Sequence, residues 1–318
     1  MTTLKNSSRF NVGIEILRLV AAFLVVCIHT SSPEFMYPIQ RLAVPTFYFL
    51  TGYFAYGDNL YERMTKTMVN YSKWWIRSFG VLSIISLLIL MNFEEFHFTF
   101  SGIKQIFTSG QTDMFTIHYN GKDYSLVVPL WFLYHGALTL FILRSFSNYI
   151  FKPFFLIGIS LISLVSIINN QYNLSIPIIE RLHNWTALTL PFIYLGLICK
   201  KYSITTMLIK QRYLLLEFSL LFILYYFTFK KNATVSFITP LMVLLVVAVF
   251  CKIKIQKWDV SHQTSLYIYI YHSLVFFILS VMGIHLYTFS AIFVFIISLL
   301  LSFFYLKVKS KLFSWGGK

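Results

Sequence analysis

Charge is scarce in this chain. Asp, Glu, Lys and Arg make up 12% of its 318 residues, about half the share of a soluble domain. Acids are rarest of all, 11 against 26 bases. That balance excludes an ordinary soluble globule. Cysteine is also sparse: Cys27, Cys199 and Cys251 each lie within or at the end of an apolar run, in no paired framework and with no metal-ligand spacing. They read as small apolar residues, and no metal is expected. There is no heptad, internal repeat or low-complexity tract. The first apolar run holds charges and is followed by no small-residue cleavage site, which excludes a removable signal peptide. The basic excess sits in short loops between apolar runs, the pattern of membrane topology, so nucleic acid is not expected as a partner.

Apolar sequence is abundant. Hydrophobic residues are 58% of the chain and aromatics 19%, with a mean hydropathy of +0.72. Ten stretches are long enough, or nearly so, to cross about 30 Å of hydrocarbon: 13–32, 41–57, 75–92, 125–143, 153–169, 185–199, 213–229, 234–251, 264–283 and 286–306. The second is short and contains Pro45. These runs predict an all-α, polytopic integral membrane protein of about ten transmembrane helices, surrounded by lipid. Residues 1–318 are expected to form one membrane domain with no appended soluble domain. Most Lys and Arg fall on one side if the N-terminus is inside: Lys5 and Arg9, the 63–77 segment, Arg144 and Lys152, the 200–212 and 252–257 groups, and the 307–318 tail. The other side takes Arg41, Lys104, Lys122, Arg181, Lys230 and Lys231. Both termini are therefore expected in the cytoplasm. The longest loop, 93–124, faces outward and holds Glu94, Glu95, His97, Asp113, His118 and Asp123, which read mainly as a solvated surface.

The first span contains "RLVAAFLVVCIH", residues 18–29. Eleven helical steps of about 100° return to nearly the same face, and the two ends stand about 16 Å apart along the axis. Arg18 and His29 thus share a face, Arg18 toward the cytoplasmic half and His29 toward the outer half. A charge in hydrocarbon is costly, so Arg18 must face protein, water or an anion. Glu15 lies three residues earlier, in reach of an intrahelical ion pair. His29 can hydrogen-bond a carbonyl, or take a proton from a hydroxyl near neutral pH. A shared polar face points to a lined cavity or tunnel.

These residues resemble the acyltransferase type 3 membrane family, in which an acid and an arginine open the first span and Arg-x10-His follows. Three later segments agree in order: "VPTFYFLTGYF" (44–54), "PLWFLY" (129–134) and "SLYIYIYHS" (265–273). Thr51 stands where the family usually has serine. The basic segment often found after the second span is represented by "RMTKTMVNYSKWWIR" (63–77). The resemblance implies a plasma-membrane O-acyltransferase that moves acetyl from cytosolic acetyl-CoA to a hydroxyl of a glycan, such as a cell-surface polysaccharide or its lipid-linked precursor. It implies His29 as the catalytic base and Arg18 on the donor side. Residues that can line the donor or acceptor cavity are Glu15, Glu34, Arg41, Thr51, Trp131, Tyr267, Tyr269 and His272. Thr51, Trp131, Tyr267 and Tyr269 are the candidate donors to a developing oxyanion. Whether His29 acts directly or carries the acyl group stays open, and no feature points to an oligomeric state. A transporter or exporter is the alternative, since intramembrane charges also mark permeation paths. A sensor-like binding module is a weaker third.

Overall fold

The computed structural model describes residues 12–30, 32–92, 97–99, 116–119, 122–126, 130–172, 174, 176, 182, 184–229, 235–253, 263–284 and 290–315. Twelve helices follow one another among these: α1 (Val12–His29), α2 (Tyr37–Gln40), α3 (Ala43–Ala55), α4 (Leu60–Asn92), α5 (Trp131–Ser145), α6 (Pro153–Tyr172), α7 (Leu190–Lys201), α8 (Ile204–Lys210), α9 (Leu214–Thr228), α10 (Thr239–Cys251), α11 (Thr264–Val281) and α12 (Ser290–Trp315). A π-helical turn, Asn184–Thr189, leads into α7. Between α4 and α5 lies a small antiparallel sheet of β1 (His97–Thr99), β2 (Thr116–Tyr119) and β3 (Lys122–Ser125), in that order. His118 pairs with both His97 and Asp123 in the register. The all-helical expectation thus holds for the body of the chain, with this sheet as its departure. Glu94, Glu95 and Asp113 of the same loop lie outside the described residues, as do Lys5, Arg9, Lys230 and Lys231.

Each of the ten apolar stretches carries a helix, but not ten established crossings. Among the described residues, four helices are long and apolar enough to span: Val12–His29, Leu60–Ile89, Thr264–Val281 and Ser290–Val308. A fifth is reached if Trp185–Lys201 and Ile204–Lys210, bent by 68°, form one span. The shortfall is one of length. At 1.5 Å per residue, the 13 residues of α3 or of α10 rise only about 20 Å. The bend follows Ser203, whose φ of 55° is left-handed and ends α7.

A second difference concerns residues 63–77. The sequence reading treats them as a basic segment before a span beginning at 75, whereas α4 runs unbroken through 33 residues from Leu60. The stretch from Leu60 to Phe79 contains neither glycine nor proline, so nothing interrupts the helix. Its length, about 50 Å, exceeds the hydrocarbon thickness. The basic first half therefore extends beyond the apolar second half.

One packing contact sets how closely the central helices approach. A Cβ added at Gly52 of α3 would stand 1.9 Å from the Ile193 carbonyl oxygen of α7. One added at Gly196 of α7 would stand 2.1 Å from the Phe49 carbonyl oxygen of α3. The two glycines let the backbones touch reciprocally, as small residues do where membrane helices pack without a strong hydrophobic drive. Around this pair lies one large buried core, to which α1, α3, α5, α7, α10 and α11 contribute. Gly196→Val is expected to lower stability by about 3 kcal/mol or more, since a backbone carbonyl cannot give way. Thermal unfolding in detergent, followed by size-exclusion fluorescence, measures it; a melting temperature equal to wild type would contradict the contact.

Candidate active site

α1 begins with Glu15 in its first turn, where a carboxylate is favourable to the helix dipole, and ends with His29 in its last. Arg18 is ion-paired to Glu15, Nη1 to Oε1 at 2.9 Å, with side-chain exposures of 20% and 7%. Its guanidinium carbon lies 5.0 Å from the ring centre of Phe54 on α3, close enough for a cation–π contact. The intrahelical pair expected from the sequence is therefore present, and the cation–π contact is an addition to it.

Arg18 lines a cavity of about 420 Å³ enclosed by α1, α3, α4, α5 and the start of α11. Three residues of the late SLYIYIYHS segment, Ser265, Leu266 and Tyr269, line it, as do Thr51 and Phe47 of α3. α4 contributes Thr67, Asn70, Tyr71 and Trp74, spaced i, i+3, i+4 and i+7 and hence on one helix face. These four are among the site residues that the sequence reading missed. That spacing is the signal for them, visible only if 63–77 is read as a helix. Thr51 donates from Oγ1 to the Phe47 carbonyl at 2.8 Å and is also hydrogen-bonded to the Tyr71 hydroxyl. Tyr71 fits against α5 because residue 136 is glycine: a Cβ there would lie 2.7 Å from the Tyr71 ring.

His29 does not line this cavity. Between it and Arg18 the shared face of α1 carries Ala22, Val25 and Val26, all buried, so the face is not a continuous open tunnel. Instead, His29 meets His272 of α11, ring centres 5.1 Å apart. His272 is fully buried, with Nδ1 2.7 Å from the Tyr269 carbonyl. A carbonyl only accepts, so Nδ1 carries the proton and, in the neutral ring, Nε2 is left as an acceptor. Tyr269 joins the two regions. It lines the Arg18 cavity, and its ring lies 5.9 Å from that of His272. Phe132 and Phe47 stand 5.2 and 6.2 Å from it. The three rings form the floor between cavity and histidine pair.

The remaining predicted residues lie elsewhere. Tyr267, two steps from Tyr269, points to another face of α11 and lines a separate cavity with Arg77, Tyr271 and Tyr305. Trp131 packs against Tyr48 and His135 at the start of α5, and its carbonyl accepts from His135 Nδ1 at 3.1 Å. Arg41 stacks on Tyr37, 4.8 Å from the ring centre, and donates from Nη2 to its hydroxyl at 3.1 Å. Its charge is also close enough to His29 to act on it electrostatically. Glu34 is exposed in a short 3₁₀ turn beyond α1. Among the described residues no group of three or more metal-ligating side chains converges.

A helix bundle with an ion-paired arginine, a polar-edged cavity and a histidine pair of which one member, His272, is fully buried is a membrane protein with an internal site. A family model described as an acyltransferase domain matches residues 11–307, and the chain belongs to the acyltransferase type 3 family. It is a membrane acyltransferase. No curated protein and no solved structure matches it.

Glu15→Gln leaves the Arg18 cation uncompensated in the bundle and is expected to cost about 2 kcal/mol. The double variant Glu15→Gln/Arg18→Gln should recover most of the loss. Melting temperatures of the single and double variants test this, and equal destabilisation of both would remove the ion pair's role.

Proposed function

We propose that the protein transfers an acetyl group from cytosolic acetyl-CoA to a hydroxyl of a cell-surface polysaccharide or its lipid-linked precursor. It would act in the plasma membrane with both termini cytoplasmic. The observation that carries this reading is the juxtaposition, in a member of this family, of the His29–His272 pair with the Arg18 cavity through Tyr269. The cavity is walled by the C-terminal part of α3, the basic half of α4 and the N-terminal end of α11. Arg63, Lys66, Lys73 and Arg77 lie on that half of α4, and Lys200 and Lys201 end α7. Such a cationic side favours approach of the anionic donor.

In this mechanism His29 takes the proton of the acceptor hydroxyl, whose oxygen attacks the thioester carbonyl. The tetrahedral intermediate collapses, the C–S bond breaks, and the proton on His29 passes to the departing CoA sulfur. His272, held in one tautomer by the Tyr269 carbonyl, orients His29. Arg18 stays on the donor side.

Membranes given radiolabelled acetyl-CoA should acetylate the surface glycan, with no transfer when the donor is omitted. His29→Ala should lower transfer by about 10²- to 10⁴-fold. Mass spectrometry of the glycan identifies the group transferred. Wild-type rates in His29→Ala would overturn the assignment of the base.

A further inference from the structure

Thr51 and Tyr71 meet inside the Arg18 cavity, and the direction of their hydrogen bond follows from a third atom. A threonine hydroxyl has one proton. That of Thr51 is given to the Phe47 carbonyl, which can only accept, at 2.8 Å. Thr51 therefore has no proton left for Tyr71, and the bond between the hydroxyls runs from Tyr71 Oη–H to Thr51 Oγ1. The relay ends in α3, with the Tyr71 proton directed toward α3. Among the described residues no donor is bonded to the Tyr71 oxygen. Its lone pairs are thus what Tyr71 offers to an occupant of the cavity it lines. The same bond withdraws Thr51 from the candidate donors to an oxyanion.

The rest of the lining narrows the occupant. Arg18 is the one charged residue among the cavity's lining, and it is already paired with Glu15. The other polar groups, among them Asn70, Thr67, Gln263 and Ser265, are neutral, among apolar walls that include Leu50 and Leu133. A phosphate would find little uncompensated positive charge here, whereas an uncharged chain carrying amides finds both polar and apolar partners. We infer that the Thr51–Tyr71 relay makes Tyr71 a hydrogen-bond acceptor for an amide N–H of the acyl donor's pantetheine arm. This rests on reading the cavity as the donor site. The acceptor's hydroxyls are also donors, but they belong beside His29, across the ring floor.

The test compares wild type with Tyr71→Phe, which keeps the ring and removes the oxygen. Acetyl transfer in proteoliposomes should show the KM for acetyl-CoA raised about three- to tenfold in Tyr71→Phe, the worth of one neutral hydrogen bond. kcat and the KM for the glycan should be unchanged. S-acetylpantetheine with both amides N-methylated should bind wild type more weakly than S-acetylpantetheine by at least that factor, a difference lost in part in Tyr71→Phe. A raised glycan KM with an unchanged donor KM overturns the inference. So does an N-methylation penalty identical in both proteins. Direct titration with S-acetylpantetheine needs no glycan: equal affinity in wild type and Tyr71→Phe overturns this inference alone, while wild type that binds neither it nor acetyl-CoA overturns the donor reading itself.

Discussion

An arginine among apolar membrane helices must be compensated, and here the carboxylate comes from its own helix. Glu15 and Arg18 lie one turn apart, so α1 carries a local, nearly neutral ion pair instead of a net charge. A compensation of this kind does not depend on any partner helix being in place, which suits a segment that must enter the bilayer. It also leaves the outer face of the guanidinium for Phe54, and thereby ties α1 to the end of α3. α3 is in turn held against α7 by the Gly52 and Gly196 approaches. The arginine's position is thus fixed from two directions, by electrostatics along α1 and by backbone packing across α3 and α7. The cavity is built around that fixed point.

The aromatic floor has a consequence for the chemistry. Tyr269 borders the cavity on one side and supplies the carbonyl that fixes His272 on the other. Any movement of the α11 backbone at this point changes the cavity wall and the histidine tautomer together. A group passing from Arg18's side to His29's has to displace or slip past Phe47, Phe132 and Tyr269, whose rings touch one another.

Much of this was legible in the sequence, for reasons particular to each element. The Arg18–Glu15 pair follows from a three-residue spacing and needs no tertiary information. The His29–His272 contact joins residues 243 positions apart, and only the ordered family-like segments pointed to both. Tyr267 and Tyr269 sit in the same segment, yet two steps on a helix turn them some 200° apart, which is why one lines the Arg18 cavity and the other does not. The ten apolar runs correctly marked helices, but among the described residues only four of those helices are long and apolar enough to span by themselves; α3 and α10, at 13 residues each, are shorter than the hydrocarbon is thick. The α4 face escaped because its charges made the segment look like a loop, although the positions of Thr67, Asn70, Tyr71 and Trp74 carry a helical period.

The relay of hydroxyls shows how far a small covalent fact can reach once the fold is known. Thr51 replaces the family's usual serine, and either residue can donate to a carbonyl one turn back. What threonine adds is a methyl group and restricted χ1 freedom, which hold the hydroxyl toward Phe47 and so keep the direction of the whole chain constant. Were the direction reversed, Tyr71 would present a proton to the cavity and favour a carbonyl or an oxyanion. With the direction as it stands, the cavity presents lone pairs and selects for N–H. Acyl-CoA, the proposed donor, carries both kinds of group, amide protons along its arm and a carbonyl at its thioester. An acceptor at Tyr71 therefore seats the arm and leaves the thioester carbonyl to be polarised elsewhere, nearer the histidines, where the charge of the reaction develops.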